Sequence, residues 1–320
     1  MARYFAFCLL LAASAAALSG GSGPGLPRAA ANPVLAGLAG EAADSSSPAP
    51  VDAGADQTKP CEGVLISRRL RYGESDLNVL DVATGESREG STRPVLLFVA
   101  GESFAGENPT QDAGDPMQDA AMCFAARNKM VGVKVAWRPA PANPWPSAAK
   151  DVAAATSWVR QNIDLYGGNA GEIVAVGYSA GAFHVASLLA HPELQTRDAD
   201  IAGAVLVSGI YRIGADASAA EKSYLGEDTS KYDARSAFPG ILRIETPLLL
   251  AWSTLDPPHL VTQGEKLKEQ LCNSIAHCPQ TTVLTSRNSR AAVLALADSG
   301  GGLAQAIMEL IREIEARGLP

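Results

Sequence analysis

The segment EIVAVGYSAGAFHVASLLA, residues 172–190, constrains the fold more than any other part of the chain. Its first part is a continuous apolar run with β-branched residues, the pattern of a strand buried on both faces. Its last part is rich in alanine and leucine with no turn residue, which suits a helix packed in a core. Gly177-Tyr178-Ser179-Ala180-Gly181 leaves room for only a sharp turn between them. A serine on such a turn sits in a strained backbone, so its neighbours must be small, and the two glycines meet that need. The helix that follows presents its N-terminal N–H groups to any negative charge forming nearby.

The rest of the chain repeats this alternation. Residues 64–73, 75–84, 93–101, 130–137, 201–210, 246–256 and 281–286 read as further short strands. Helical stretches fall at about 115–130, 147–167, 260–271 and 303–318, and residues 212–240 form a polar excursion with a short helix. The class is therefore α/β, with a mostly parallel central sheet covered by helices on both faces. No internal repeat is visible.

Residues 1–20 stand apart. One arginine, an apolar run to about Leu11 and then small residues have the layout of a secretory signal peptide, cleaved around Ala17 to Gly20. The apolar part is short for a membrane span, so no stable membrane insertion is expected after cleavage. Residues 21–60, rich in Gly, Pro, Ala and Ser, read as a flexible linker, and 61–320 as the folded domain. Periplasmic or secreted localisation follows from that leader. It takes Cys8 away and leaves four of the five cysteines in an oxidising compartment. Cys272 and Cys278 are close enough for a local loop, and Cys61 and Cys123 would then pair across the fold. Four cysteines permit three connectivities, and free buried thiols are the alternative. The net charge of −8 and the lack of a basic cluster exclude a nucleic-acid binder of the usual kind. The loop GESFAGEN has no phosphate-binding lysine and carries two glutamates, so it is a poor phosphate cradle. No metal site and no cofactor are expected, and the partner implied is a small molecule. The sequence leaves the oligomeric state open.

Together these segments resemble the α/β-hydrolase superfamily, and within it the bacterial esterase/lipase group with its feruloyl-esterase-like, acetylesterase-like and kynurenine-formamidase-like members. The resemblance runs from about residue 68 to 315. It rests on YGESDLNVLDVATGE, on WRPAPANPWPSAAKDVAAATSWVRQNIDLYGGNAGEIVAVGYSAGA and on SYLGEDTSKYDARSAF. It implies the α/β-hydrolase fold, Ser179 as nucleophile and an acyl ester as ligand. TPLLLAWSTLDPPHL is similar to the family's strand-then-loop segment and puts Asp256 at the acid position. The oxyanion hole would be formed by the Ala180 N–H and by the loop at Gly101 and Glu102.

Two departures fall on catalytic positions. Where the family has a glycine-rich HGGG loop, this chain has Ala100-Gly101-Glu102-Ser103-Phe104, with a carboxylate near the place where negative charge would form. Where it has a histidine after the last strand, this chain has TSRNSRAAVLALAD, with Ser289 at the aligned position. Arg287 and Arg290 cannot replace it, because guanidinium does not release its proton. Of the four histidines, His184 reads as core packing and His191 lies at the far end of its helix. His277 adjoins a cysteine, and only His259, in a loop three residues after Asp256, stands on the side of the site. The sequence thus supports two expectations. One is a serine carboxylesterase with His259 as an irregular base and impaired turnover. The other is a non-catalytic hydrolase fold that keeps its cleft for a ligand or partner.

Overall fold

A computed structural model describes residues 61–86, 92–106, 116–196, 199–274, 278–298 and 301–318. The segments 1–20 and 21–60, expected to be a leader and a linker, and His277 lie outside the described residues. Eight strands form one sheet: β1 (Leu65–Arg71), β2 (Val79–Thr84), β3 (Arg93–Val99), β4 (Val131–Val135), β5 (Gly168–Tyr178), β6 (Gly203–Val207), β7 (Leu248–Ser253) and β8 (Gln280–Leu284). Their spatial order is β1-β2-β4-β3-β5-β6-β7-β8. β2 runs antiparallel to both β1 and β4, and every other pair is parallel. This is the mostly parallel sheet that the sequence predicts.

Among the described residues there are eight α-helices: α1 (Pro116–Arg127), α2 (Ser147–Asn162), α3 (Ala180–Ala190), α4 (Ala219–Leu225), α5 (Tyr232–Arg235), α6 (Pro258–Asn273), α7 (Ser289–Leu294) and α8 (Gly302–Arg317). The central strands alternate between two cores. Ile173 and Ala175 of β5 face a core built with α2, α3 and α6. Val174 and Val176 face the other, built with α1, α7 and α8. Burial on both faces is why these strands read as continuous apolar runs. Among the described residues no single helix is long and apolar enough to cross a membrane.

The antiparallel end of the sheet has a feature the sequence reading does not contain. Lys134, in the run VGVKV, is 2% exposed and bonds Asp81 of β2 at 3.0 Å and Asp119 of α1 at 3.2 Å. Arg68 of β1 reaches the same two carboxylates at 2.8 and 2.9 Å. Two cations and two anions thus compensate one another under α1, beside the Cys61–Cys123 disulfide. A second disulfide joins Cys272 and Cys278. Both pairings are the ones the sequence favours among its three possibilities.

Candidate active site

Ser179 occupies the corner between β5 and α3, with φ 53° and ψ −116°. That strain is held from several sides. Its N–H donates to Val207 O at 2.9 Å, and its carbonyl accepts from Ala182 and Phe183. The flanking glycines are required by packing. A Cβ on Gly181 would lie 2.0 Å from Val99 O, and one on Gly177 would lie 2.5 Å from Ala182 Cα. Ser179 is partly buried at the floor of a cleft of about 510 Å³, whose lining includes Glu102, Phe104, Ile213, His259 and Gln263.

Asp256 lies just past β7. Its Oδ2 accepts from Ser253 N at 2.8 Å and from the hydroxyls of Ser208 and Ser289, each at 2.5 Å. Its Oδ1 accepts from Ser289 N at 2.9 Å. Burial by itself would raise the pKa of this carboxyl. The hydrogen bonds from Ser208, Ser289 and the two amides outweigh it and hold the pKa below the ordinary value. Ser208 has a positive φ of 47° at the end of β6, and it also contacts Ser289 Oγ at 2.6 Å. The side chain at the position aligned with the histidine is therefore tied directly to the acid. Among the described residues no histidine bonds Asp256.

The loop at 100–104 meets the elbow through a backbone carbonyl. The Ala180 N–H, which the resemblance assigns to the oxyanion hole, donates to Gly101 O at 2.8 Å. Gly101 thus turns a carbonyl toward the elbow where the expected hole needs donors, and the expectation for Gly101 and Ala180 is corrected to that extent. Glu102, the third residue assigned to that hole, is half exposed and paired with Arg290 Nε of α7 at 2.5 Å. Its charge is still felt at the elbow. The Tyr178 phenol, next to Ser179, is pushed up to about 12, first by burial and then by the negative charges of Glu102 and Asp256, with Arg290 opposing them.

His259 belongs to the first turn of α6, which starts at Pro258, and so is not in a loop as the sequence suggests. It is exposed and lines the same cleft as Ser179. His184 is fully buried among Phe104, Trp137, Phe183 and Tyr224, and burial drives its pKa down to about 3. His191 is held away from the cleft, its Nε2 at 3.0 Å from Ser236 O. Two residues of the site carry no sequence signal as site residues: Ser208, at the end of an apolar strand, and Gln263. The Gln263 side chain accepts from Tyr211 N and Arg212 N and donates to Arg212 O, fixing the wall of the cleft. Among the described residues no group of three or more His, Cys, Asp or Glu is placed to hold a metal.

A serine on a strained strand–helix corner, an acid past β7 and a sheet with this strand order define a serine-hydrolase scaffold. Its fold is the α/β-hydrolase fold, and the chain is similar to esterases that share it. Residues 80–204 match the family model described as BD-FAE. Esterase LipC of Mycobacterium tuberculosis is 32% identical over 122 residues, covering 38% of this chain and 28% of that one. Esterase LipQ of the same organism is 27% identical over 237 residues, 70% of this chain and 50% of that one. Across the curated relatives described for it, the chain spans between 21% and 50% of their length. Among solved structures, a truncated carbohydrate esterase from gut microbiota superposes with a TM-score of 0.66 at 14% identity, covering 79% of this chain and 96% of that one. Esterase B of Lactobacillus rhamnosis does so at 0.63 and 15%, covering 80% and 86%. At these identities the structural likeness concerns the fold.

Proposed function

We propose that this protein is an exported α/β-hydrolase-fold protein whose cleft at Ser179 binds a small acyl ester or a related molecule, with ester hydrolysis impaired to the point of silence. The observation that carries this reading is the bonding of Asp256. An acid of a catalytic triad orients an imidazole, whereas this carboxylate is taken up by Ser208, Ser289 and two backbone amides. The Gly101 carbonyl on the Ala180 N–H removes a second contribution. Loss of the base leaves about 10³- to 10⁴-fold catalysis over water, and loss of an oxyanion donor costs a further factor of about 10² to 10³. Export is supported by the leader-like residues 1–20 and by two disulfides, which persist in oxidising compartments.

A second reading, slow hydrolysis with His259 as base, draws on the presence of His259 and Ser179 in one cleft. The two readings separate in an assay of the purified protein at high concentration against p-nitrophenyl acetate, beside Ser179→Ala, His259→Ala and Ser289→His. The silent reading expects the parent to match Ser179→Ala, and a gain in Ser289→His would identify the missing base as the cause. Activity in the parent that disappears in both Ser179→Ala and His259→Ala would replace that reading with the second.

A further inference from the structure

α3 carries His184 and Ser187 at i and i+3, a polar stripe on an otherwise apolar helix, and His191 follows as its extended C-cap. The stripe faces Tyr224 of α4 and Trp145 in the segment before α2. The His184 and Tyr224 rings are 5.1 Å apart, and those of Trp145 and His191 are 5.9 Å apart. The Trp145 backbone N–H also donates to Tyr224 O at 2.7 Å, so these groups share one seam. His191 is satisfied by Ser236 O and Glu193. The other side chains are not. Both ring nitrogens of His184, the hydroxyls of Ser187 and Tyr224 and the indole N–H of Trp145 are buried with no hydrogen-bond partner. The amides of Ala148 and Ala149 lie toward the Tyr224 oxygen, yet neither makes a hydrogen bond of acceptable geometry with it.

Five such atoms left dry would together cost as much as the whole net stability of an ordinary domain. Their chemistry defines what satisfies them. His184 is held neutral by burial, so its ring offers one donor and one acceptor. The two hydroxyls each offer both, and the indole offers a donor only. An anion would answer the donors and leave the imidazole nitrogen orphaned. A cation would do the reverse. A neutral molecule that donates and accepts answers all of them, and the seam lies in the core, where the small one is water.

We propose that this seam is an internal water site, in which ordered water bridges the ring nitrogens of His184 to the hydroxyls of Ser187 and Tyr224, with the Trp145 indole as a further donor. Buried waters typically make about three hydrogen bonds to groups of this kind. The site backs the wall of the cleft. Phe104, which lines the cleft beside Ser179, stacks on Tyr224 at 5.5 Å and meets His184 edge-on. Trp137 packs on His184 at 4.5 Å while its Nε1 donates to Ala100 O in the 100–104 loop.

The test joins a structure with a sign. A crystal structure of the purified protein, at a resolution that shows ordered water, is expected to place density within hydrogen-bond distance of at least two of the five atoms. Ser187→Ala and Tyr224→Phe are conservative truncations whose thermal midpoints are then read by calorimetry. If water bridges these groups, each truncation strands the remaining partners and lowers Tm by about 2–4 °C. If the atoms are dry and unpaired, removing a hydroxyl relieves a penalty and raises Tm. Unchanged or raised midpoints overturn the proposal, and so does a structure in which the five atoms turn onto protein partners with no water between them.

Discussion

Asp256 joins three elements through a single carboxylate. In a working triad its loss appears in turnover, because the acid acts through an imidazole. Here its oxygens gather Ser208 from the end of β6, Ser253 from the end of β7 and Ser289 from the start of α7. It therefore ties three elements together, and its loss appears in stability. Asp256→Asn replaces one acceptor with an N–H₂ group facing donors, which costs about 2 kcal/mol or more, readable as a lower denaturant midpoint with an unchanged slope. The pH dependence follows from the lowered folded-state pKa. The carboxylate contributes stability that is present above the unfolded value near about 3.9 and is lost as pH falls through the lower folded value. The parent should consequently lose stability below about pH 4 more steeply than Asp256→Asn. A parallel fall in both proteins would show that the hydrogen bonds around Asp256 contribute nothing net.

At the scale of elements, the buried lysine of β4 carries the sharpest expectation. Lys134 neutralises Asp81 and Asp119 where water does not reach, and Arg68 completes the set. Lys134→Met keeps the volume and leaves two carboxylates facing one guanidinium. Breaking a buried pair in this way costs about 3–5 kcal/mol. The replacement of Arg290 by alanine makes the comparison, since its pair with Glu102 is half exposed on both sides and such pairs are worth about 0–1 kcal/mol. Chemical denaturation of both variants checks the contrast, and equal losses would refute it.

The same elements show what sequence patterns can carry. The inner strands β2 to β7 were legible, because apolar runs bounded by Gly, Pro and Asp report burial directly. β1 and β8, at the sheet edges and mostly unburied, were read from short segments beside turns. The inward lysine was not legible, since strand periodicity says that a residue alternates and not which charge waits on the neighbouring strand. α7 was not legible either. Its start signal, Asn288 capping Ala291 N at 2.8 Å, is a single residue in a polar stretch. α6 begins at Pro258 rather than at residue 260 because proline suits the first helical turn, and this moves His259 from a loop onto a helix. At the candidate site, Ser179, Asp256 and Ser289 were named from motif positions, and the structure bonds the last two to each other. Ser208 could not be named in this way, because its role depends on a positive φ and on a partner 48 residues away.

For the whole molecule, the two disulfides divide labour by the length of chain they close. Cys61–Cys123 spans 62 residues and fastens the chain ahead of β1 to α1, over the buried ion cluster. Cys272–Cys278 has a sequence separation of 6 and closes only the short segment between α6 and β8. In the chain-entropy account, the first link removes about 4 kcal/mol of freedom from the unfolded chain and the second about 2. The paired replacement Cys61→Ser with Cys123→Ser should therefore destabilise the protein roughly twice as much as Cys272→Ser with Cys278→Ser. The larger loss has a second source. Without the link, the strand that brings Arg68 to Asp81 and Asp119 keeps its antiparallel ladder with β2 but loses the covalent tie of its leading segment to α1. Combining the Cys61/Cys123 pair with Lys134→Met tests that link, since neighbours that share partners do not add. A triple variant less destabilised than the sum of its parts would place the disulfide and the ion cluster in one cooperative unit. Strict additivity would mean that the disulfide acts on the unfolded chain alone.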